Sequence, residues 1–318
     1  MVAGPLAQVS VFYKGPEMVG DQIFPIIDRV PPKAIIGRYK KGAWFRDEAG
    51  IRAPGSRAAR GGFPMDSVGI STKEYAFAKE VTDEDRRNAK FAFALPSQPD
   101  QDAIEFATAK VDLKKERRIR DLIVGTTWLD GNVGGQDAAG KWAAGTGNTF
   151  LSDVKGAIKT IHNATGIEPN KLLMDLGTYL SLTEEPTLLD KIKYTEKGIL
   201  TADLMAAALG LDEVIVAKAF VNTAKERKDG SDFTAGPLWE IHATKGMGFL
   251  FYRPSAPGLK VPSAGYQARI AYENGLPRRT MMWREDAEHQ DVYEVAEETD
   301  IVAVGTDLGF LFADTLLT

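Results

Sequence analysis

Two β-patterned runs, Ile35 to Phe45 and Val68 to Phe77, flank a polar stretch rich in Arg, Gly and Pro with too little apolar content to form a core. A strand over the whole first run, at about 3.3 Å per residue, predicts a hairpin reaching about 35 Å. A compact body of this chain length has a radius of gyration of only about 20 Å. Such a hairpin cannot fold back on its own body along its full length. Tyr39, Trp44, Phe45, Tyr75 and Phe77 then stay partly wet unless another molecule covers them, and single soluble proteins seldom expose large apolar patches. The hairpin therefore reads as a part made for assembly. Its tip, Arg46 to Met65, carries Arg46, Arg52, Arg57 and Arg60 among Pro54, Gly55, Gly61, Gly62 and Pro64, which predicts a long irregular loop. Only Trp44, Phe45 and Phe63 are close enough to stack on bases, so the tip suits a partner protein better than nucleic acid.

With 318 residues, 44% of them hydrophobic, the chain can bury a sizeable core as one elaborate domain or two intertwined ones. A formal net charge of -5 argues against a protein whose main task is gripping phosphate backbones. There is no cysteine, so disulfides, thiolate metal sites and cysteine nucleophiles are all excluded. Residues Met1 to Ser10 lack the basic start and apolar run of a secretory signal. No segment approaches the roughly 20 apolar residues that span a bilayer, so the expectation is a soluble protein without a membrane partner.

Along the chain, residues 1–34 mix Pro5, Pro16, Pro25, Pro31 and Pro32 with Phe12, Ile23, Phe24, Ile26 and Ile27, which predicts an extended arm lying on a protein surface. Asp100 to Val124 holds neither Pro nor Gly, begins with cap-forming Asp100 and Asp102, and ends before Gly125, predicting one long helix. Its middle is densely charged and its apolar seam narrow, as in a helix crossing a surface. Residues 126–149 form a Gly-rich loop anchored by Trp128 and Trp142, and a second helix is expected over Ser152 to Thr165, capped by Ser152 or Asp153 and stopped by Gly166. The pattern then turns to α/β. Strands are expected at Lys171 to Met174, Glu213 to Ala217, Leu238 to Ala243 and Gly248 to Tyr252, with helical pieces at Tyr179 to Leu182, Thr187 to Ile192 and Ala202 to Leu209. Further β-like runs lie at Arg279 to Arg284, Ile301 to Val304 and Phe310 to Phe312.

The search for chemistry yields little. His162, His242 and His289 are far apart, and no Ser or Asp motif accompanies the first two. His289 lies among Glu285, Asp286, Glu288 and Asp291, which reads as a solvated acidic turn because nothing in the segment fixes ligand geometry. Gly135 to Lys141 approaches a phosphate-binding loop, yet Trp142 stands where the Mg²⁺-binding hydroxyl belongs. No catalytic, cofactor-binding or metal residue is assigned.

The order of parts, together with Ile23-Phe24-Pro25, Tyr39-Lys40-Lys41-Gly42-Ala43-Trp44-Phe45-Arg46, Arg52-Ala53-Pro54-Gly55-Ser56, Gly166-Ile167-Glu168-Pro169-Asn170 and Thr201-Ala202-Asp203-Leu204, resembles the major capsid proteins of tailed bacteriophages. The resemblance implies an α+β, Hong-Kong-97-type capsid fold. Residues 1–34 would be the N-terminal arm, 35–80 the extended E-loop hairpin, and 81–166 a peripheral domain with its spine helix at 100–124. Residues 167–264 would form an α/β axial domain, 265–300 a return to the peripheral domain, and 301–318 the last axial strands. It further implies a non-enzymatic subunit forming hexamers and pentamers of an icosahedral shell around double-stranded DNA, without sequence-specific binding. Implied partners are a portal protein, a separate scaffolding protein and, as an option, a decoration protein; the location is the virion capsid, assembled in the host cytoplasm. Tyr39, Trp44, Phe45, Arg46, Arg52, Arg57, Arg60 and Phe24 are the expected inter-subunit contacts. An encapsulin-like compartment holding protein cargo, with the same fold, and an α/β enzyme stand as alternatives.

Overall fold

The structure is a computed structural model describing residues 17–91, 98–145, 147–192, 200–225, 233–241, 245–258, 260–272 and 275–316. Two five-stranded sheets organise it, and the long helix Pro99–Gly125 runs from one to the other. Among the described residues no helix is long and apolar enough to cross a membrane.

The second sheet shows most directly how sequence becomes packing. Its strands lie in the order Gln136–Asp137, Gly309–Ala313, Met247–Phe251, Lys171–Asp175, Glu213–Ala217. The runs are apolar at nearly every position, as expected for strands covered on both faces. Alternation splits them between two cores. Leu172, Met174, Leu250, Phe310 and Phe312 face the helices Phe150–Thr165 and Ala202–Leu209. Leu173, Phe249, Phe251 and Leu311 face Ile119 and Ile123 of the long helix. Register enforces the split, because Phe249 stands opposite both Leu173 and Leu311, whereas Leu250 stands opposite Leu172 and Phe310.

The two loop tryptophans are anchors, as the sequence predicted, but each uses a different face. A Cβ on Gly248 would lie 2.5 Å from the Trp142 ring, and one on Gly309 would lie 2.5 Å from the Trp128 ring. The strand glycines are thus slots for indoles.

The first sheet is built on the long strand Gln290–Ala303. Arg278–Glu285 and Gly265–Arg269 share one of its edges, Lys73–Thr82 takes the other, and Ile26–Asp28 adds parallel to Gly265–Arg269. Sequence reading saw only the end of this strand, at Ile301, because acidic residues interrupt its apolar pattern. Glu297 is the reason: it is buried and salt-bridged to Lys115 at 3.2 Å and Arg278 at 3.1 Å.

Several expectations are corrected. The hairpin strands are Lys33–Tyr39 and Met65–Ser71, far shorter than the runs suggested, because Lys41–Trp44 turns helical and Lys73–Thr82 leaves for the first sheet. Tyr75 and Phe77 therefore belong to the body, where Arg118 covers the Tyr75 ring at 3.8 Å and Phe106 packs on Phe77. The long helix is not a surface crossing, since Ala107, Val111, Lys115, Glu116, Ile119 and Ile123 are buried. The second helix begins at Phe150 after Thr149, so Ser152 and Asp153 are not its caps; it ends at Gly166 as predicted. Leu238 and Trp239 lie in a buried turn, not a strand. The expected boundary at 166 does not match the sheets: Gln136–Asp137 and Phe150–Thr165 already pack with the second one. Residues 301–303 likewise remain in the first sheet.

Part of the N-terminal arm enters the core, at residues 19–25, while Asp28, Arg29, Pro31 and Pro32 stay exposed as the sequence predicts. Val19, Ile23 and Phe24 are buried. The Glu116 carboxylate accepts the backbone N–H of Val19 at 3.1 Å and of Gly20 at 2.7 Å, and the Trp239 indole N–H at 2.8 Å. Burial pushes its pKa up, while these three donors pull it down. Lys115, beside it, pairs with Asp21 at 2.5 Å.

Gly248→Ala is expected to destabilise the fold by about 1–3 kcal/mol through overpacking against Trp142, read as a lower urea midpoint. Glu116→Ala leaves three donors unpaired. Limited proteolysis should then cut faster near residues 17–30, with a stability loss of at least about 1–3 kcal/mol.

Candidate assembly surface

The hairpin leaves the body as a two-stranded ribbon in which Ile35 faces Gly69 and Tyr39 faces Met65. Arg38 stands opposite Asp66 and pairs with it at 2.7 Å. With no second layer over it, the ribbon cannot hide its apolar side chains. Ile35 is 74% exposed, Trp44 55% and Phe45 68%. At the neck of the tip, Tyr39, Trp44 and Phe63 form an aromatic trio with ring centroids 5.6–6.0 Å apart. Neighbouring rings support one another, yet one side remains open to solvent.

Beyond the trio, residues 46–64 carry no regular strand or helix, and Arg46, Arg52, Arg57 and Arg60 are all exposed. Arg46 lies 3.8 Å from Glu48. The predicted contact residues Tyr39, Trp44, Phe45 and these four arginines are therefore gathered on one projecting element. Phe24 is not among them: it is fully buried, packed edge-on against Phe251 at 6.3 Å. Its place as a contact is corrected, because the chain makes a short helical turn, Gly20–Ile23, inside the core instead of running as an extended arm over the surface there.

An open cleft of about 1050 Å³ separates the hairpin from the body, lined by Ile35, Tyr39, Trp44, Phe45, Ile167 and Val261 among others. Among the described residues no group of three or more His, Cys, Asp or Glu could hold a metal ion. His289 sits in the turn between Arg278–Glu285 and Gln290–Ala303, where Arg284 engages Asp83 at 2.6 Å and also Asp286 and Asp291. Those acids thus have cationic partners. His162 is exposed, 3.9 Å from Glu168, and His242 lies outside the described residues. Trp142, which spoils the phosphate-loop pattern, is a core anchor.

Sequence reasoning missed the supports beneath the hairpin. Ser71, Thr72, Arg38 and Lys41 contact the segment 298–307. No local pattern marks acceptors lying more than 200 residues away.

The fold is that of the Hong-Kong-97-type capsid proteins. The chain is 26% identical over 227 residues to the major capsid protein of Burkholderia phage BcepMu, covering 70% of each chain. It is similar in structure to a phage-related protein of Bordetella bronchiseptica RB50, with TM-score 0.67 and 21% identity over 96% of this chain and 94% of that one. The capsid protein of Cyanophage P-SCSP1u matches at TM-score 0.61 and 12% identity, over 98% and 91%. No protein-family model matches the chain. In fold and in sequence the chain is similar to the major capsid proteins of tailed phages, and that likeness indicates a structural role.

The Arg38 side-chain hydrogen bond, then the Ser67 amide, hold the Asp66 carboxyl below its ordinary value of 3.8. A carboxylate lowered in this way stabilises the fold above its ordinary pKa and loses that contribution as pH falls through the lower one. The cross-strand pair is therefore intact at neutral pH and lost only below pH 3.8. Carboxyl NMR titration of Asp66 should give a midpoint under 3.8; a midpoint at or above it would refute the pairing.

Proposed function

We propose that copies of this chain assemble into hexamers and pentamers of an icosahedral shell that encloses the double-stranded DNA of a tailed phage, each hairpin lying across a neighbouring copy. The observation that carries this reading is the exposure of Ile35, Trp44, Phe45 and Phe63 on one projecting ribbon. A lone protein gains nothing by holding these groups in water; a neighbour's surface shelters them and builds an interface in the obligate range above about 2,000 Å².

Charge supports a ring-like arrangement. Residues 46–64 hold four arginines against Asp47 and Glu48, a net charge of +2. Two such tips repel each other, which disfavours a two-fold contact of tip on tip. Tip against a different surface is a heterologous contact, and heterologous contacts close into rings when the rotation permits. Buried tip charges set register and exclude wrong partners more than they add affinity.

In the family's terms, the sheet built on Gln290–Ala303 with the long helix corresponds to the peripheral domain, and the sheet covered on both faces to the axial domain. Assembly in the host cytoplasm with a separate scaffolding protein, a portal at one vertex, an optional decoration protein and a final place in the virion capsid complete the reading. The relatives found are phage capsids, which does not favour a compartment for protein cargo.

Replacing Arg52, Arg57 and Arg60 together with Glu is expected to leave the subunit folded, within about 0.5 kcal/mol per exposed site. Closed particles seen by negative-stain microscopy should disappear. Normal particle yield from this variant would remove the tip from the interface.

A further inference from the structure

The hairpin meets the body at a series of points that run in order. At its root, the Thr72 hydroxyl donates to Glu298 Oε1 at 2.7 Å and the Ser71 amide to Asp300 Oδ2 at 2.8 Å. Farther out, Arg38 Nη1 donates to the Val304 carbonyl at 3.1 Å. Farther still, Lys41 Nζ donates to Asp307 Oδ2 at 2.6 Å. From root to tip the acceptors therefore climb from 298 through 300 and 304 to 307. They belong to one continuous segment, the end of Gln290–Ala303 and the 3₁₀ turn Thr306–Leu308.

That segment is itself immobilised. Ile301 pairs with Gln267 in the sheet, the Val304 amide donates to the Ala264 carbonyl at 3.0 Å, and Leu308 is buried. Arg38 is the central fitting, because its guanidinium holds Asp66 of the opposite strand with one nitrogen and the body with another. Ile70 is buried at the root and Lys260 lies over the Tyr39 ring at 5.8 Å, but the cleft behind the ribbon is open, so apolar packing alone does not determine the hairpin's direction. Polar contacts along one edge are left to do so.

We infer that the segment 298–307 is a rail that sets the angle at which the hairpin projects from each subunit, with Arg38 and Lys41 as the positioning residues. A ribbon clamped at its root alone can swing; one clamped at four successive points has its direction specified before a neighbour arrives. Pre-organisation of this kind lowers the ordering cost of association. The rail itself is a property of the single subunit; its consequence for assembly rests on the reading above that the hairpin is an inter-subunit element.

The absence of cysteine permits a direct test. Spin labels on Ser56→Cys at the tip and Lys159→Cys on the exposed side of Phe150–Thr165 report the tip-to-body distance in the unassembled chain by pulsed electron resonance. The labelled parent should give one narrow distance distribution. Lys41→Ala should shift the docked-to-free ratio by up to about fivefold, the ceiling for an exposed ion pair. Arg38→Ala with Lys41→Ala should broaden the distribution outright, and the exchange Lys41→Asp with Asp307→Lys should narrow it again relative to Lys41→Asp alone. An unchanged narrow distribution in the doubly truncated chain, or failure of the exchange to restore order, would overturn the rail. Negative-stain images then test its use: mixed or malformed particles from the doubly truncated chain support it, and uniform ones overturn its role in shell geometry. If the parent chain forms no particles at all, the shell reading fails, and the distance measurement still decides the rail.

Discussion

The structure depends on one helix carrying two unlike burdens. Over its first half Pro99–Gly125 packs Ala107 and Val111 on Val295 of the first sheet; over its second half Ile119 and Ile123 enter the core under the second sheet. The change occurs at Lys115 and Glu116, adjacent residues pointing about 100° apart on the helix. Lys115 turns to Glu297 and Asp21, Glu116 to Trp239 and the amides of Val19 and Gly20. Burying either charge unpaired is strongly destabilising. The two bodies and the N-terminal segment are consequently placed by the demand that these charges be satisfied.

That placement explains where the hairpin stands. The long strand that supplies Glu297 to the helix continues to Asp300 and on to the turn holding Asp307. The same backbone therefore satisfies a buried lysine at one end and supports an exposed ribbon at the other. Rigidity comes from the body and is delivered to the projecting ribbon. In the proposed shell, the apolar groups on that ribbon are its cost when alone and its driving force on association.

Much of this was legible beforehand, for reasons that differ between elements. The uninterrupted run 100–124 could only be a helix, and Gly166 marked the end of the next because a left-handed position stops a helix there. The short strands Lys171–Asp175 and Glu213–Ala217 were read almost to the residue, since apolar runs bounded by turns have few other uses. The hairpin was found but overextended, because β-patterning continues past Thr72 while pairing changes partner. Gln290–Ala303 was mostly missed, because Glu297 and Thr299 look like surface residues until Lys115, Arg278 and Arg118 are brought beside them. Phe24 was placed on a surface because proline-rich context is blind to what covers it. At the candidate surface, Tyr39, Trp44, Phe45 and the four arginines share an element because they share a stretch of chain; their supports on 298–307 do not.

By itself, then, the amino-acid order determined everything governed by neighbours in the chain: the periodicities, the helix stops, the irregular charged tip and an apolar ribbon that its own body does not fully cover. Only the tertiary structure decided which charges are buried, which glycines admit a tryptophan, which strand pairs with which, and at what angle the ribbon projects. The physical reason is range. Backbone geometry and hydrophobic alternation act over a few residues, whereas a salt bridge between Lys41 and Asp307 exists only after the rest of the chain has folded to bring its ends together.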